Sequence, residues 1–245
     1  MIKAGLIGFP LQHSRSKELF ENHFNSLGIE ASYKLVEIPN CADAVRHCLS
    51  SGFIGFNVTI PFKKQVLNFM NRLETEAEQT RAVNCVVLSD DELIGYNTDC
   101  HGFAALMDEA QIEPYQRQAL ILGDGGAAAA VKFVLHERGI SHHTVSRNTD
   151  LNYINLSASM IREVDIIINT TPVGMWPETN ACPDIPYEAI TSDHVCIDLI
   201  YNPEETLFMS RCKILGAKVL NGKTMLVKQA QKSWEIWLNE WRNRS

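Results

Sequence analysis

The sequence predicts an α/β protein of two domains with a cleft between them, the second domain Rossmann-like, and three observations carry that reading. Strand-like and helix-like segments alternate along almost all of the 245 residues, the signature of sheets whose parallel strands are covered by helices. A glycine-rich turn, Gly123-Asp124-Gly125-Gly126, leads from an apolar run into an alanine-rich helical stretch. The chain is also long enough for two modest cores, and it shows no repeat, low-complexity segment or flexible linker.

In chain order, the first hundred residues hold five strand candidates: KAGLIG, SYKLVEI, FIGFNVTI, AVNCVVL and ELIGYN. Helical periodicity falls between them at about 16 to 27, 41 to 51 and 63 to 73. NTDCHGFAALMDEAQ reads as a helix crossing from the first sheet to the second, with the boundary near residues 100 to 118. The second half continues with QALILG, a helix over AAAAVKFVLHERG stopped by Gly139, then HTVS, VDIIINTT and HVCIDLIY. A helix over EETLFMSRCKILG and the strand AKVLNG follow. The last twenty residues form one amphipathic helix, because Met225, Ala230, Trp234, Leu238 and Trp241 recur every three to four positions.

Composition narrows the function classes. Apolar residues make up 45% and charged residues 21% of the chain, as in an ordinary globular protein. A net charge of −7 argues against nucleic-acid binding, which needs a basic stripe to neutralise phosphates. The seven cysteines are scattered, odd in number and form no C-x-x-C pair, which points to free thiols in a reducing cytoplasm and to no metal site. The N-terminus enters a strand without a long apolar leader, and no stretch reaches the roughly 18 apolar residues of a membrane span.

The turn at Gly123-x-Gly125-x-x-Ala128 suits a dinucleotide. Small residues let the backbone approach a pyrophosphate, and the helix start offers N–H groups and the positive end of its dipole. About twenty residues on, the next strand ends at Ser146 and Arg147, where an NAD site places an acidic residue. A guanidinium there suits a 2′-phosphate, which favours NADP. Asp124 is unfavourable in such a loop unless its carboxylate points away. A nicotinamide implies hydride transfer, so a proton donor is needed where negative charge develops on a substrate oxygen. GFNVTIPFKK offers two lysines just beyond a strand: either both are solvated charges, or one is held to move a proton. Asp99 ends another strand and is a natural partner, and it also reads as an N-cap of the crossing helix.

Seven blocks in order resemble the shikimate dehydrogenase family. They are Gly8-Phe9-Pro10-Leu11-Gln12-His13-Ser14-Arg15-Ser16, Asn57-Val58-Thr59-Ile60-Pro61-Phe62-Lys63, Ala82-Val83-Asn84 and Gly95-Tyr96-Asn97-Thr98-Asp99, then the Gly123 loop, Asn169 to Met175, and Asp198-Leu199-Ile200-Tyr201-Asn202-Pro203. The resemblance implies reversible NADPH-dependent reduction of 3-dehydroshikimate to shikimate on the route to aromatic amino acids. It implies that Lys63 and Asp99 are the catalytic pair, with Lys64 a solvated helix residue. Ser14 and Ser16 would hold the substrate carboxylate, unless they only cap the first helix, and Thr59, Asn84, Tyr201 and Gln229 would complete the substrate site. Gly123, Gly125, Gly126, Ala127, Ser146, Arg147, Asn148, Leu199 and Gly222 would hold the cofactor. Residues 1–101 with 225–245 are then the substrate domain and 102–224 the NADP domain, linked twice so that hinge closure can exclude water. A monomer or homodimer is expected. An NAD-using quinate dehydrogenase and a non-catalytic shikimate binder are the alternatives.

The chain departs from the family pattern at several places. Lys17 stands where many members have proline, Thr224 replaces a glycine of G-L-G-M, Asp124 replaces an alanine, and Asn148 separates Arg147 from Thr149. Most of these changes fall on the cofactor side, so any unusual behaviour is expected in cofactor affinity or preference.

Overall fold

A computed structural model describes residues 1–12, 14–112 and 117–243. The chain divides into two compact units, Met1–His101 with Val227–Ser245, and Gly102–Leu226.

The first unit is built on β1 (Ile2–Gly8), β2 (Ala31–Glu37), β3 (Gly55–Val58), β4 (Arg72–Leu73), β5 (Cys85–Ser89) and β6 (Glu92–Tyr96). Their order across the sheet is β2-β1-β3-β5-β6-β4. The sheet is mixed, which corrects the expectation of parallel strands: β5 runs antiparallel to both β3 and β6. The cause is local. Only Asp90 and Asp91 separate Ser89 from its partner Glu92, too few residues for a crossover, and both have positive φ, as a tight hairpin turn requires. Two reversals restore the original direction, so β3 and β6 still end at one edge, where β5 begins.

Helix α1 (Ser16–Ser26) buries Phe20 and Phe24, four residues apart and therefore on one face. Helix α2 (Cys41–Ser50) starts at Asn40, whose side chain accepts from the Asp43 N–H, and buries Ala44, Val45 and Cys48. The helix expected over 63–73 is only a 3₁₀ segment, Gln65–Phe69. The chain then leaves the helical path because Asn71 hydrogen-bonds Leu93 through both backbone and side chain and feeds β4 onto β6. A short helix α3 (Thr75–Thr80), absent from the sequence reading, follows. Helix α4 (Thr98–Ala110) begins directly after β6.

The second unit carries β7 (Gln118–Leu122), β8 (Ser141–Val145), β9 (Ile166–Asn169), β10 (Val195–Asp198) and β11 (Lys218–Asn221), all parallel, in the order β11-β10-β9-β7-β8. Three consecutive isoleucines fill β9, the apolar run expected of a strand covered on both faces. Helices α5 (Gly126–Glu137), α6 (Ala158–Arg162) and α7 (Leu207–Ile214) connect the strands. The winding reverses between β7 and β9, the position at which open parallel sheets bind ligands beyond their strand ends.

Helix α8 (Lys223–Asn243) closes the chain. Its stripe differs from the expected one at the end: Trp237 is fully buried, whereas Trp241 is 38% exposed. Trp237 donates to the Val86 carbonyl at 2.9 Å, and its indole occupies the space that a Cβ at position 55 would need. Gly55 is therefore the residue that lets α8 seat on the first sheet.

Candidate active site

Three strand ends converge in the first unit. Lys63 follows β3, Asn84 precedes β5 and Asp99 follows β6, and the antiparallel register brings Asn57, Cys85 and Tyr96 side by side below them. Lys63 Nζ lies 2.5 Å from Asp99 Oδ2, with side chains only 16% and 8% exposed. Asn84 Nδ2 donates to the other carboxylate oxygen at 2.8 Å. The Lys63 carbonyl accepts from Val83 N–H at 2.8 Å, which ties the lysine to the segment that carries Asn84. A buried ammonium and carboxylate in this geometry form a preorganised group that can give or take a proton. Lys64 is exposed and stands in the turn before the 3₁₀ segment rather than in an α-helix.

The cap reading of Asp99 is corrected. Asn97 Oδ1 accepts from the Asp99 N–H at 3.2 Å, so Asn97 caps α4 and the Asp99 carboxylate is left for Lys63 and Asn84. Thr59 is half-buried just past β3, close enough to β1 that a Cβ on Gly8 would clash with its methyl group. Ser14 Oγ accepts from the Ser16 N–H at 3.3 Å, and Ser16 opens α1, so both hydroxyls lie at one helix start. His13 of the same motif lies outside the described residues. Gln229 is half-buried on α8, and its carbonyl accepts from Ser233 Oγ at 3.0 Å. Tyr201 belongs to the second unit, half-buried beyond β10.

Four polar residues to which the sequence reading gave no role, Tyr33, Asn57, Thr98 and Ser233, complete the buried network. Asn57 accepts from Tyr33 Oη at 3.0 Å and donates to Ser233 Oγ at 2.9 Å, and Thr98 Oγ1 lies 3.1 Å from Ser233 Oγ. Burial holds the Tyr33 hydroxyl well above the usual tyrosine range, so it stays a donor. An asparagine inside the apolar run of β3, and a serine four residues after Gln229 on α8, are the signals that could have flagged them.

In the second unit, β7 runs into Gly123, whose φ of +106° and tight approach to Thr170 demand glycine. Gly125 stands at the N-cap of α5, no side chain caps that helix, and the space around a Cβ at 125 is open. Gly126 and Ala127 supply the first turn. This cradle fits a phosphate, since small residues surround an uncapped start of a twelve-residue helix. Asp124 pairs with Lys132 at 2.5 Å, two turns along α5. After β8, Ser146 is buried while Arg147 and Asn148 are exposed. Thr149 Oγ1 organises this turn by accepting from Ser146 N–H at 2.9 Å and donating to the Leu151 carbonyl at 2.6 Å. The inserted Asn148 thus leaves the threonine in a turn-closing role.

Leu199 and Gly222 are neighbours: a Cβ at 222 would collide with the Leu199 carbonyl. Thr224 lies in the first turn of α8, a helical position that needs no glycine, and its hydroxyl bonds to Glu109. Asp198 is fully buried and accepts from Thr206 Oγ1 at 2.6 Å, Ile200 N–H at 3.0 Å and Asn169 Nδ2 at 3.1 Å. Burial pushes its carboxyl up to about 6, against the pull of those three donors.

The chain is similar to known proteins in sequence and in fold. A family model described as the shikimate dehydrogenase substrate binding domain matches residues 6–86. Shikimate dehydrogenase (NADP(+)) of Desulforamulus reducens is 37% identical over 257 residues, covering 95% of this chain and 88% of that protein. The enzyme of the same name from Clostridium beijerinckii is 38% identical over 245 residues, covering 95% and 90%. The crystal structure of shikimate 5-dehydrogenase from Thermus thermophilus, in complex with NADP(H) and shikimate, superposes with a TM-score of 0.87 at 30% identity, covering 98% of this chain and 94% of that one. With near-complete coverage at that identity, this chain belongs to the shikimate dehydrogenase family.

Proposed function

We propose that this protein catalyses the reversible, NADP-dependent reduction of 3-dehydroshikimate to shikimate, a step of aromatic amino acid biosynthesis. The observation that carries the proposal is the buried Lys63–Asp99 pair at the shared strand edge of the first unit. Lys63 Nζ gives its proton to the substrate oxygen as that oxygen becomes an alkoxide, and takes it back in the reverse direction. Asp99 holds the ammonium on one carboxylate oxygen while Asn84 fixes the other. Ser14 and Ser16 bind the substrate carboxylate, and Thr59, Asn84, Tyr201 and Gln229 satisfy its remaining polar groups, since each buried hydroxyl needs a partner once water is excluded.

Hydride transfer to and from the substrate carbon is the chemistry that a bound nicotinamide supplies. Gly123, Gly125, Gly126 and Ala127 would hold the pyrophosphate, Ser146, Arg147 and Asn148 the 2′-phosphate, and Leu199 and Gly222 the nicotinamide end. The exposed Arg147 guanidinium, in the turn that follows β8, supports NADP over NAD. Cysteines that are all free in the fold support a reducing, cytoplasmic setting. The protein acts on small molecules as a monomer or homodimer; its net charge of −7 supports no role with nucleic acid.

The test is initial-rate reduction of NADP⁺ by shikimate, run beside quinate and beside NAD⁺ on one preparation. A shikimate and NADP⁺ rate far above the other combinations is the expected result. Turnover only with NAD⁺ would reverse the cofactor assignment, and no turnover in any combination would reverse the enzyme assignment.

A further inference from the structure

The Lys63–Asp99 pair is one end of a longer buried chain of hydrogen bonds, and the other end lies on α8. Asp99 Oδ1 accepts from Asn84 Nδ2, and Asn84 Oδ1 accepts from the Thr98 backbone N–H at 2.7 Å. Thr98 Oγ1 lies 3.1 Å from Asn84 Oδ1 and 3.1 Å from Ser233 Oγ. Ser233 Oγ in turn accepts from Asn57 Nδ2 at 2.9 Å and donates to the Gln229 carbonyl at 3.0 Å.

Counting protons shows how the hydroxyls are shared. A serine hydroxyl has one hydrogen and two lone pairs. The Ser233 hydrogen goes to Gln229, so its lone pairs receive the Asn57 amide and the Thr98 hydroxyl. Thr98 also has a single hydrogen, for which Ser233 Oγ and Asn84 Oδ1 compete at 3.1 Å each, and the Asn84 oxygen is served in addition by the Thr98 backbone N–H. Asn84 is thereby held with its oxygen toward Thr98 and its N–H toward Asp99. Ser233 is 0% exposed, and Asn84 and Thr98 are 3% exposed, so bulk water is not at hand to replace a missing member.

We propose that Ser233 is a positioning residue for the catalytic pair: by fixing Thr98 and Asn57 it sets the orientation of Asn84, and through it the Asp99 carboxylate that holds Lys63. The same hydroxyl donates to the Gln229 backbone carbonyl one turn back, which fixes the Ser233 rotamer on α8. The inference rests on the functional reading above, because it assigns Ser233 to the geometry of that reaction. Removing the hydroxyl takes a partner from the Thr98 hydroxyl and an acceptor from Asn57 Nδ2, the group that also donates to the Asn84 backbone carbonyl at 3.1 Å, so both supports of Asn84 lose their anchor. A carboxylate held less firmly presents the ammonium in the reactive geometry less often.

The experiment compares wild type, Ser233→Ala, Thr98→Val, the double variant and Thr98→Ser in the shikimate and NADP⁺ assay, with melting temperatures alongside. We expect Ser233→Ala to lower kcat about tenfold while KM for shikimate stays within about twofold, the split of a group that acts on the reacting geometry rather than on binding. The double variant should be no slower than the slower single, because both substitutions remove the same bond, and Thr98→Ser, which keeps the hydroxyl, should retain wild-type kcat. A Ser233→Ala protein with unchanged kcat and only a lower melting temperature would overturn the inference, as would additive losses in the double variant. Absence of turnover in wild type would overturn the functional reading and the inference with it, whereas an active wild type with unaffected variants would overturn the inference alone.

Discussion

Lys63 concentrates the proposed chemistry in one side chain. Its ammonium is held by a carboxylate at 2.5 Å in a largely buried setting, whereas Lys64 beside it is exposed. Lys63→Ala should therefore lower kcat by about 10²- to 10⁴-fold with little change in KM, measured by steady-state kinetics, and a near-normal kcat would remove Lys63 from the mechanism. On the cofactor side the residue of interest is Lys132, which no motif contains. It neutralises Asp124, the carboxylate inside the glycine-rich turn. Lys132→Ala leaves that charge unpaired beside the phosphate cradle, so the Kd for NADP⁺ by titration calorimetry should rise about tenfold at low salt and less at high salt. Lys132→Ala combined with Asp124→Ala should bind as tightly as Asp124→Ala alone. Equal losses in both backgrounds would show that Lys132 contacts the ligand itself.

Among the elements, the end of β10 is held by a carboxyl group in an apolar place. Asp198 is fully buried and organises Ile200, Thr206 at the start of α7, and Asn169 at the end of β9. Its carboxyl is raised from an ordinary 3.8 to about 6, so the fold favours the protonated form. The stabilising contribution is then fully present below about pH 4 and is lost as pH rises through 6, by at most about 3 kcal/mol. The difference in urea midpoint between wild type and Asp198→Asn, followed from pH 4 to 7, should move against wild type as pH rises. Parallel curves would mean that Asp198 does not titrate in that window. Most elements were legible in the sequence because apolar period and turn residues are local signals: β1, α2, β7, α5 and α8 all lie where the pattern puts them. The segment 63–73 was misread because its helical period is outcompeted by pairing with β6, a strand some twenty residues further along.

For the whole molecule, the chain divides into two units, each with its own sheet and apolar core. A ligand that binds only the folded protein stabilises it by mass action. The melting temperature should accordingly rise with NADP⁺ at concentrations where equimolar NAD⁺ has little effect, a contrast of up to about 2.7 kcal/mol at a hundredfold excess over Kd. Equal shifts would assign both cofactors to the site. The sequence alone determined the α/β class, the phosphate cradle and the strand-end motifs, because propensity, period and glycine placement are encoded within a dozen neighbouring residues. Only the tertiary structure decided the direction of β5, the turn of Asp124 onto Lys132, the release of Asp99 from capping, and the bond between Thr98 and Ser233, 135 positions apart. Those outcomes depend on which distant backbone and side-chain groups must satisfy one another once water is excluded, and no local pattern specifies that pairing.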